Sequence, residues 1–274
     1  MEGYSPIVSQ KTLEEDLRRL GLKKGDMVYV HTSLKNIGWL EDGPDTLIRA
    51  FLEVLGPEGT LAVPTHTLSF PDRGAPPYDP QATPTVLGKF PEAVRRFPGA
   101  LRSGHASHSS SAIGDGAAFL TREHDHFHAL GERSPLYRLS RSGGKTLLLG
   151  VDHRSNTAIH LAESLARLPY VKLHYDASWG EETWRVLPDG SVLREKQKEF
   201  PGCSEEFVRL EPVFEEKGIQ RSGKVGNAQA KLLDTGKMVE AAVDMLQREP
   251  IMLLCGDPCC PCCPARWALM KNLK

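Results

Sequence analysis

A histidine and a glutamate three residues apart, His160 and Glu163, sit in the run T-A-I-H-L-A-E-S-L-A-R-L-P from Thr157 to Pro169. Read at about 3.6 residues per turn, Ala158, Leu161, Ala162 and Leu165 recur as the apolar stripe of a short helix. His160, Glu163, Ser164 and Arg167 repeat that spacing roughly 200° further round. One helical turn brings the imidazole and the carboxylate within reach of each other, and such a pair is a general base with its orienting partner. Ser155, Asn156 and Thr157 are candidate N-caps, and Pro169 is the stop. The positive end of the helix dipole favours the neutral, proton-accepting ring. The same spacing fits a solvated polar face equally well, so the rest of the chain has to decide.

Chemistry of that kind needs a frame. Met27–Val30 is a short apolar run of the kind that forms a buried strand, and it closes on His31, Thr32 and Ser33. G-T-L-A-V-P-T-H closes on Thr65 and His66, and G-K-T-L-L-L-G-V-D closes on Asp152, with His153 next. Helices are expected over Thr12–Leu20 (Thr12 as cap), from Pro44 or Asp45 to Leu55, over Leu87–Arg96 and over Lys237–Gln247. From Tyr170 to Phe200 the period changes to two: V-K-L-H-Y and W-R-V-L-P-D-G-S-V-L-R read as strands, the latter folded at Pro188–Ser191 into a hairpin. Ile251–Leu254 reads as a last strand. The expected fold is α/β, a mainly parallel central sheet flanked by helices, with a smaller antiparallel β-rich region at about 170–225, all in one domain over 1–274. Ligands of such sheets sit beyond the carboxyl ends of the strands, which aligns His31–Ser33, Thr65–His66 and Asp152–His153 along one edge.

Phe70–Pro84 is a loop rich in Pro, Asp and Gly, and its Asp72 and Asp79 are candidates to meet a cationic ligand. R-S-G-H-A-S-H-S-S-S-A-I-G, from Arg102 to Gly114, offers hydroxyls, backbone amides and two histidines in one place. His105 with His108, and the alternating His124, His126 and His128, lack companions at firm metal-ligand spacing. A net charge of −1 gives no basic field for nucleic acid. No apolar run approaches the roughly 20 residues of a membrane helix, and Met1–Gln10 has no signal-peptide pattern, so a cytoplasmic location is the expectation. Of the six cysteines, Cys203 stands apart, and Cys255, Cys259, Cys260, Cys262 and Cys263 crowd into C-G-D-P-C-C-P-C-C-P at 255–264. That tail can offer thiolates to zinc or another soft cation. Zinc completed by a distant residue, a redox-sensitive thiol cluster and an inert tail all stay open.

Five segments together resemble the aminoglycoside 3-N-acetyltransferase family, the antibiotic acetyltransferases outside the GNAT fold. They are V-H-T-S-L-K-N-I-G (Val30–Gly38), G-T-L-A-V-P-T (Gly59–Thr65), P-G-A-L-R-S-G-H-A-S-H-S (Pro98–Ser109), H-A-L-G-E-R-S-P-L (His128–Leu136), and K-T-L-L-L-G-V followed by N-T-A-I-H-L-A-E, within Lys145–Glu163. The likeness runs from about Leu13 to Leu254 and implies transfer of an acetyl group from acetyl-CoA to a small-molecule amine, with His160 as general base beside Glu163. It places the coenzyme against His31, Thr32, Ser33, Leu34 and Lys35, with Arg102, Ser103, His105 and Ser109 lining the same region and His105 a further catalytic candidate. Asp72, Asp79, Asp152 and Glu163 are the expected acceptor contacts, and a second copy of the chain is a candidate partner. Two departures stand out: Ala106 follows His105 where the family usually has proline, and the acidic loop near Phe70–Pro80 is short. Rival readings are an acyltransferase for another amine, a hydrolase built from Ser109 or Ser33 with His160 and Glu163, and a coenzyme-binding protein without turnover. No G-x-S-x-G elbow supports the hydrolase.

Overall fold

A computed structural model describes residues 7–67, 69–70, 74–124, 129–174 and 181–273. In chain order the elements are α1 (Gln10–Leu20), β1 (Met27–Thr32), α2 (Leu34–Ile37), α3 (Pro44–Leu55), β2 (Thr60–Pro64), α4 (Lys89–Arg96), β3 (Leu101–Arg102), β4 (Ser110–Gly114), α5 (Ala117–Thr121), α6 (Pro135–Arg141) and β5 (Lys145–Leu149). Then come α7 (Ala158–Leu165), β6 (Glu182–Val186), β7 (Val192–Lys196), α8 (Glu211–Glu216), β8 (Gln220–Val225), β9 (Ala228–Asp234), α9 (Thr235–Arg248) and α10 (Cys263–Asn272).

Seven strands form one mixed sheet in the order β3-β4-β2-β1-β5-β9-β8. Its central trio is parallel, β1 pairing with β2 and with β5, and the flanking strands join antiparallel. The apolar runs of the central strands are buried on both faces because the period of two sends alternate side chains into two cores. Tyr29, Ala62 and Leu148 face the core formed with α7 and α9, while Val28, Val30, Leu61, Val63, Leu147 and Leu149 face the core formed with α1 and α3. Gly150, at φ +71°, ends β5 where a side chain would strike Asn36 at 2.9 Å, so the strand can close on the turn after β1. The chain then makes a 3₁₀ turn at His153–Ser155 and enters α7 directly, which sets that helix over the carboxyl edge of the parallel strands.

Local signals misplaced several boundaries. Ser9, not Thr12, caps α1: its hydroxyl accepts from the Thr12 amide at 3.1 Å. V-K-L-H-Y is not a strand. Pro169 opens a 3₁₀ turn over Pro169–Lys172 that buries Tyr170 and Val171, and alternation over so few residues cannot tell the two apart. Tyr175 of that segment lies outside the described residues. Ile251–Leu254 is a turn, with the Leu254 amide bonded to Ile251 O at 3.1 Å, because β8 and β9 already complete that end of the sheet. The β-rich region divides: β6 and β7 form a separate hairpin, while β8 joins the main sheet. Tyr78 of the Phe70–Pro84 loop pins the hairpin through its amide to Trp184 O at 2.7 Å and its carbonyl to the Val186 amide at 2.8 Å.

Candidate active site

The two-faced helix of the sequence is buried on both faces. Ala158, Leu161 and Ala162 enter the core, and the His160–Glu163 side is also covered, at 8% and 2% exposure. The His160 ring meets Phe207 edge-on with centroids 4.7 Å apart. His160 Nδ1 donates to Glu163 Oε2 at 2.6 Å, and the Tyr170 hydroxyl donates to Glu163 Oε1 at 2.9 Å. Both carboxylate oxygens are thus held by donors, the ring tautomer is set, and the lone pair is left on Nε2. The solvated-face alternative does not hold, since polar groups that deeply covered are retained by mutual hydrogen bonding rather than by water.

His160 lines a cleft of about 500 Å³ together with His66, His108, Leu130 and Thr157. The facing wall comes from Pro201–Glu205 and from Cys255–Cys262. A second cavity of about 260 Å³ is lined by His31, Thr32, Pro64, Val151 and Arg154 and shares His66 and Thr157 with the first. The two therefore meet where the carboxyl ends of β1 and β2 face the start of α7.

The rings around this junction are held neutral. Burial, with a smaller push from His153, lowers the His31 pKa to about 3. Burial, aided by His160 and His124, does the same for His108, again to about 3. His66 is driven well below the usual histidine range by burial and then by the rings of His108, His31, His160 and His124. Thr157 Oγ1 lies 3.4 Å from His31 Nε2. Among the described residues, His66 Nε2 and Thr32 Oγ1 are buried polar atoms with no hydrogen-bond partner.

Other residues singled out in the sequence take different places. Arg102 Nη2 donates to Thr65 O at 2.7 Å, its Nε reaches Ser109 Oγ at 3.1 Å, and its Nη1 binds the Thr83 carbonyl. Ser109 is fully buried and donates to Thr65 O at 2.7 Å. Ser103 is fully buried between the His124 ring and the Ser110 amide, each at 2.9 Å. This trio spends its hydrogen bonds inside the protein, joining the loop after β2 to β4. His105 Nδ1 accepts the Ser107 and His108 amides at 3.3 and 3.1 Å, so it shapes the turn that presents His108 and does not line the cleft. Ser33 precedes α2 with its amide on Leu149 O, Leu34 packs on the core, and Lys35 is exposed. Asp79 caps its own loop through the Gln81 amide, and Asp152 pairs with Arg154 at 2.6 Å; neither lines the cleft. Asp72, His126 and His128 lie outside the described residues. No serine or cysteine among the described residues is hydrogen-bonded to His160, so the Ser–His–Glu arrangement with Ser33 or Ser109 is not assembled.

The cysteine tail is rearranged by the fold. The sulfurs of Cys255, Cys260 and Cys263 are joined by that of Cys203, all within 4.8 Å of one another. Cys259 is exposed and falls outside this group, as does Cys262. Tyr170, Glu205 and Asp257 lie at this candidate site although no local pattern marked them, since three separate segments bring them in.

Fold and site define a class: an α/β protein whose histidine–carboxylate pair opens on a cleft at the carboxyl edge of its parallel strands. The chain belongs to the aminoglycoside 3-N-acetyltransferase family, whose profile matches residues 29–247, and it is an acyltransferase of that family. Aminoglycoside N(3)-acetyltransferase IV of a Salmonella species is 34% identical over 241 residues, covering 87% of each chain. The solved structure of AAC-IIIb, a binary complex with CoASH, superposes with a TM-score of 0.80 at 30% identity, over 89% of this chain and 97% of that one. A histidine-to-alanine mutant of aminoglycoside acetyltransferase AAC(3)-IVa in complex with a gentamicin reaches 0.83 at 31% identity, over 96% and 98%. No helix among the described residues is long and apolar enough to cross a membrane.

Proposed function

We propose that the chain transfers the acetyl group of acetyl-CoA to an amine of an aminoglycoside, the 3-amino group first among the choices, with His160 as general base. The observation that carries this is the 2.6 Å His160–Glu163 bond buried at the head of the cleft, in a chain whose relatives are named for that reaction. The smaller cavity, beside His31 and Thr32, takes the thioester arm, and the larger takes the acceptor. Neutral His31, His66 and His108 do not repel a polycationic acceptor, and Glu205 and Asp257 on the facing wall attract it.

The acceptor ammonium first releases one proton to solvent, giving the free amine. As that nitrogen attacks the thioester carbonyl, a C–N bond forms and His160 Nε2 takes a second proton, worth about 10²–10⁴-fold in rate. Glu163 stabilises the imidazolium that results. Thr157, which lines both cavities, and Thr32, which lines the smaller, supply hydroxyl donors for the developing oxyanion. The C–S bond then breaks, and the imidazolium protonates the CoA sulfur. Direct transfer in a ternary complex needs no enzyme nucleophile. Arg102, Ser103, Ser109 and His105 serve this scheme as framework, and Ser33, Leu34 and Lys35 border the coenzyme side.

The test is thiol release from acetyl-CoA with aminoglycosides that have or lack a free 3-amino group. Release that depends on that group supports the reading. CoA binding without drug-dependent release refutes the acceptor, and parallel rather than intersecting initial-rate lines refute the ternary complex. His160→Ala is expected to abolish transfer while leaving CoA binding in place; near-normal turnover overturns the base.

A further inference from the structure

We propose that Cys203, Cys255, Cys260 and Cys263 form a tetrahedral thiolate site for Zn²⁺, which locks the Cys-rich segment in place as the wall of the cleft opposite His160. Four sulfurs from two distant parts of the chain lie within 4.8 Å of one another, and all are free thiols. A zinc tetrahedron with Zn–S bonds of about 2.3 Å has S···S edges of about 3.8 Å, so closing on the ion takes shifts of about 1 Å or less. No disulfide joins these four sulfurs, so each is open to a cation. The donor set is all sulfur, which selects a soft or borderline ion over magnesium or calcium.

The surroundings suit a thiolate cluster. The Glu205 amide donates to Cys203 Sγ at 3.4 Å, the amide-to-sulfur bond that steadies thiolate charge. One helical turn beyond Cys263, the cationic Arg266 is 1% exposed, lies 4.9 Å over the Tyr170 ring and donates to Phe200 O. Four thiolates and one Zn²⁺ carry two negative charges, and a buried guanidinium offsets part of that. The segment also needs a staple. Pro258, Pro261 and Pro264 interrupt it, residues 255–262 contain no helix or strand, and yet Cys255, Asp257, Cys259, Cys260 and Cys262 line the cleft. Cys262 lies 3.8 Å from Cys260 and 4.0 Å from Cys263 and accepts the Cys203 amide at 3.0 Å, which makes it a neighbour to the site and the natural control.

Elemental analysis of the full chain, purified without chelator, is expected to find about one zinc per chain. Cobalt exchanged into the site should show the strong visible bands of tetrahedral thiolate coordination. Cys203→Ser and Cys260→Ser, both at partly exposed positions that tolerate change, should each lose the metal, while Cys259→Ser and Cys262→Ser should keep it. Stripping the metal is expected to lower kcat/KM for the acceptor by up to about 10²-fold through a misplaced wall, with the CoA dissociation constant unchanged. Wild-type protein with less than a tenth of an equivalent of metal, or with disulfides among these cysteines, overturns the site. So does iron in place of zinc, or full zinc content in Cys203→Ser. The metal readout does not depend on which amine is acetylated, so its failure is distinct from failure of the acceptor assignment.

Discussion

Glu163→Gln tests the dyad more sharply than deletion of His160. Both oxygens of Glu163 have donors, His160 Nδ1 at 2.6 Å and the Tyr170 hydroxyl at 2.9 Å. A glutamine has one oxygen and one amide nitrogen to offer the same two partners. If its oxygen stays on Tyr170, its NH₂ faces Nδ1, and the ring must carry its proton on Nε2, where it no longer accepts one. The opposite orientation asks the fully buried Tyr170 hydroxyl to give up the acceptor it now has, at a cost of about 1–3 kcal/mol. That bias corresponds to roughly 5–150-fold in favour of the wrong tautomer. Replacing a charge-assisted bond by a neutral one removes about another 1 kcal/mol from the imidazolium. The kcat for thiol release should therefore fall by roughly 30- to 10³-fold. Tyr170→Phe alone should cost about tenfold or less, since Glu163 keeps its charge and its bond to His160. The double variant frees the glutamine to turn its oxygen to Nδ1–H and should be faster than Glu163→Gln alone. Rates are to be compared at saturating acetyl-CoA and acceptor, with thermal melts confirming that each variant is folded. A double variant no faster than Glu163→Gln would refute the tautomer argument.

The neutral histidines make stability depend on pH. His31 is 5% exposed with its pKa lowered to about 3, against about 6.5 in an unfolded chain, so between these values the unfolded state binds more protons. Its contribution is present above pH 6.5 and is lost as pH falls below it, by about 2 kcal/mol from pH 7 to pH 5. His66 and His108 act in the same direction. Denaturant melts across that range should show the loss, and His31→Gln should flatten it; an unchanged slope in the variant would exclude His31 as a source. Gly202→Ala would place a methyl 2.7 Å from the buried Arg266 guanidinium, which cannot swing to solvent. A stability loss of about 1–3 kcal/mol is expected from urea melts, and a neutral change would show that the Arg266 packing adapts.

Much of the fold was legible because it is written in short-range pattern. The runs that became β1, β2 and β5 are apolar on both faces, and only a central, helix-covered strand demands that. Helix α3 was readable from Pro44 and Gly56 at its ends, and the hairpin β6–β7 from Pro188–Ser191 between alternating runs. The dyad was legible for the same reason: His160 and Glu163 are one turn apart on one helix, so their contact is nearly a local property.

What spacing leaves open is which way a polar side chain turns and what it meets from elsewhere. Ser103, Ser109 and Arg102 look equally fit for a ligand or for the protein's own groups, and the fold decides for the latter: Ser109 and Arg102 donate to Thr65 O, and Ser103 meets the Ser110 amide and the His124 ring. Tyr170 reads as the residue leading into the expected strand V-K-L-H-Y, whereas the turn opened by Pro169 brings its hydroxyl to Glu163. The cysteine tail alone presents five thiols in an awkward row, and packing selects three of them, adds Cys203 and turns Cys259 outward. The chain by itself determined the layers, the parallel core and the His160–Glu163 contact, because each is written in the pattern within a turn or a strand. The cleft, its neutral histidines and its sulfur-lined wall were decided only by the tertiary structure, because their geometry and desolvation arise from segments that meet after folding.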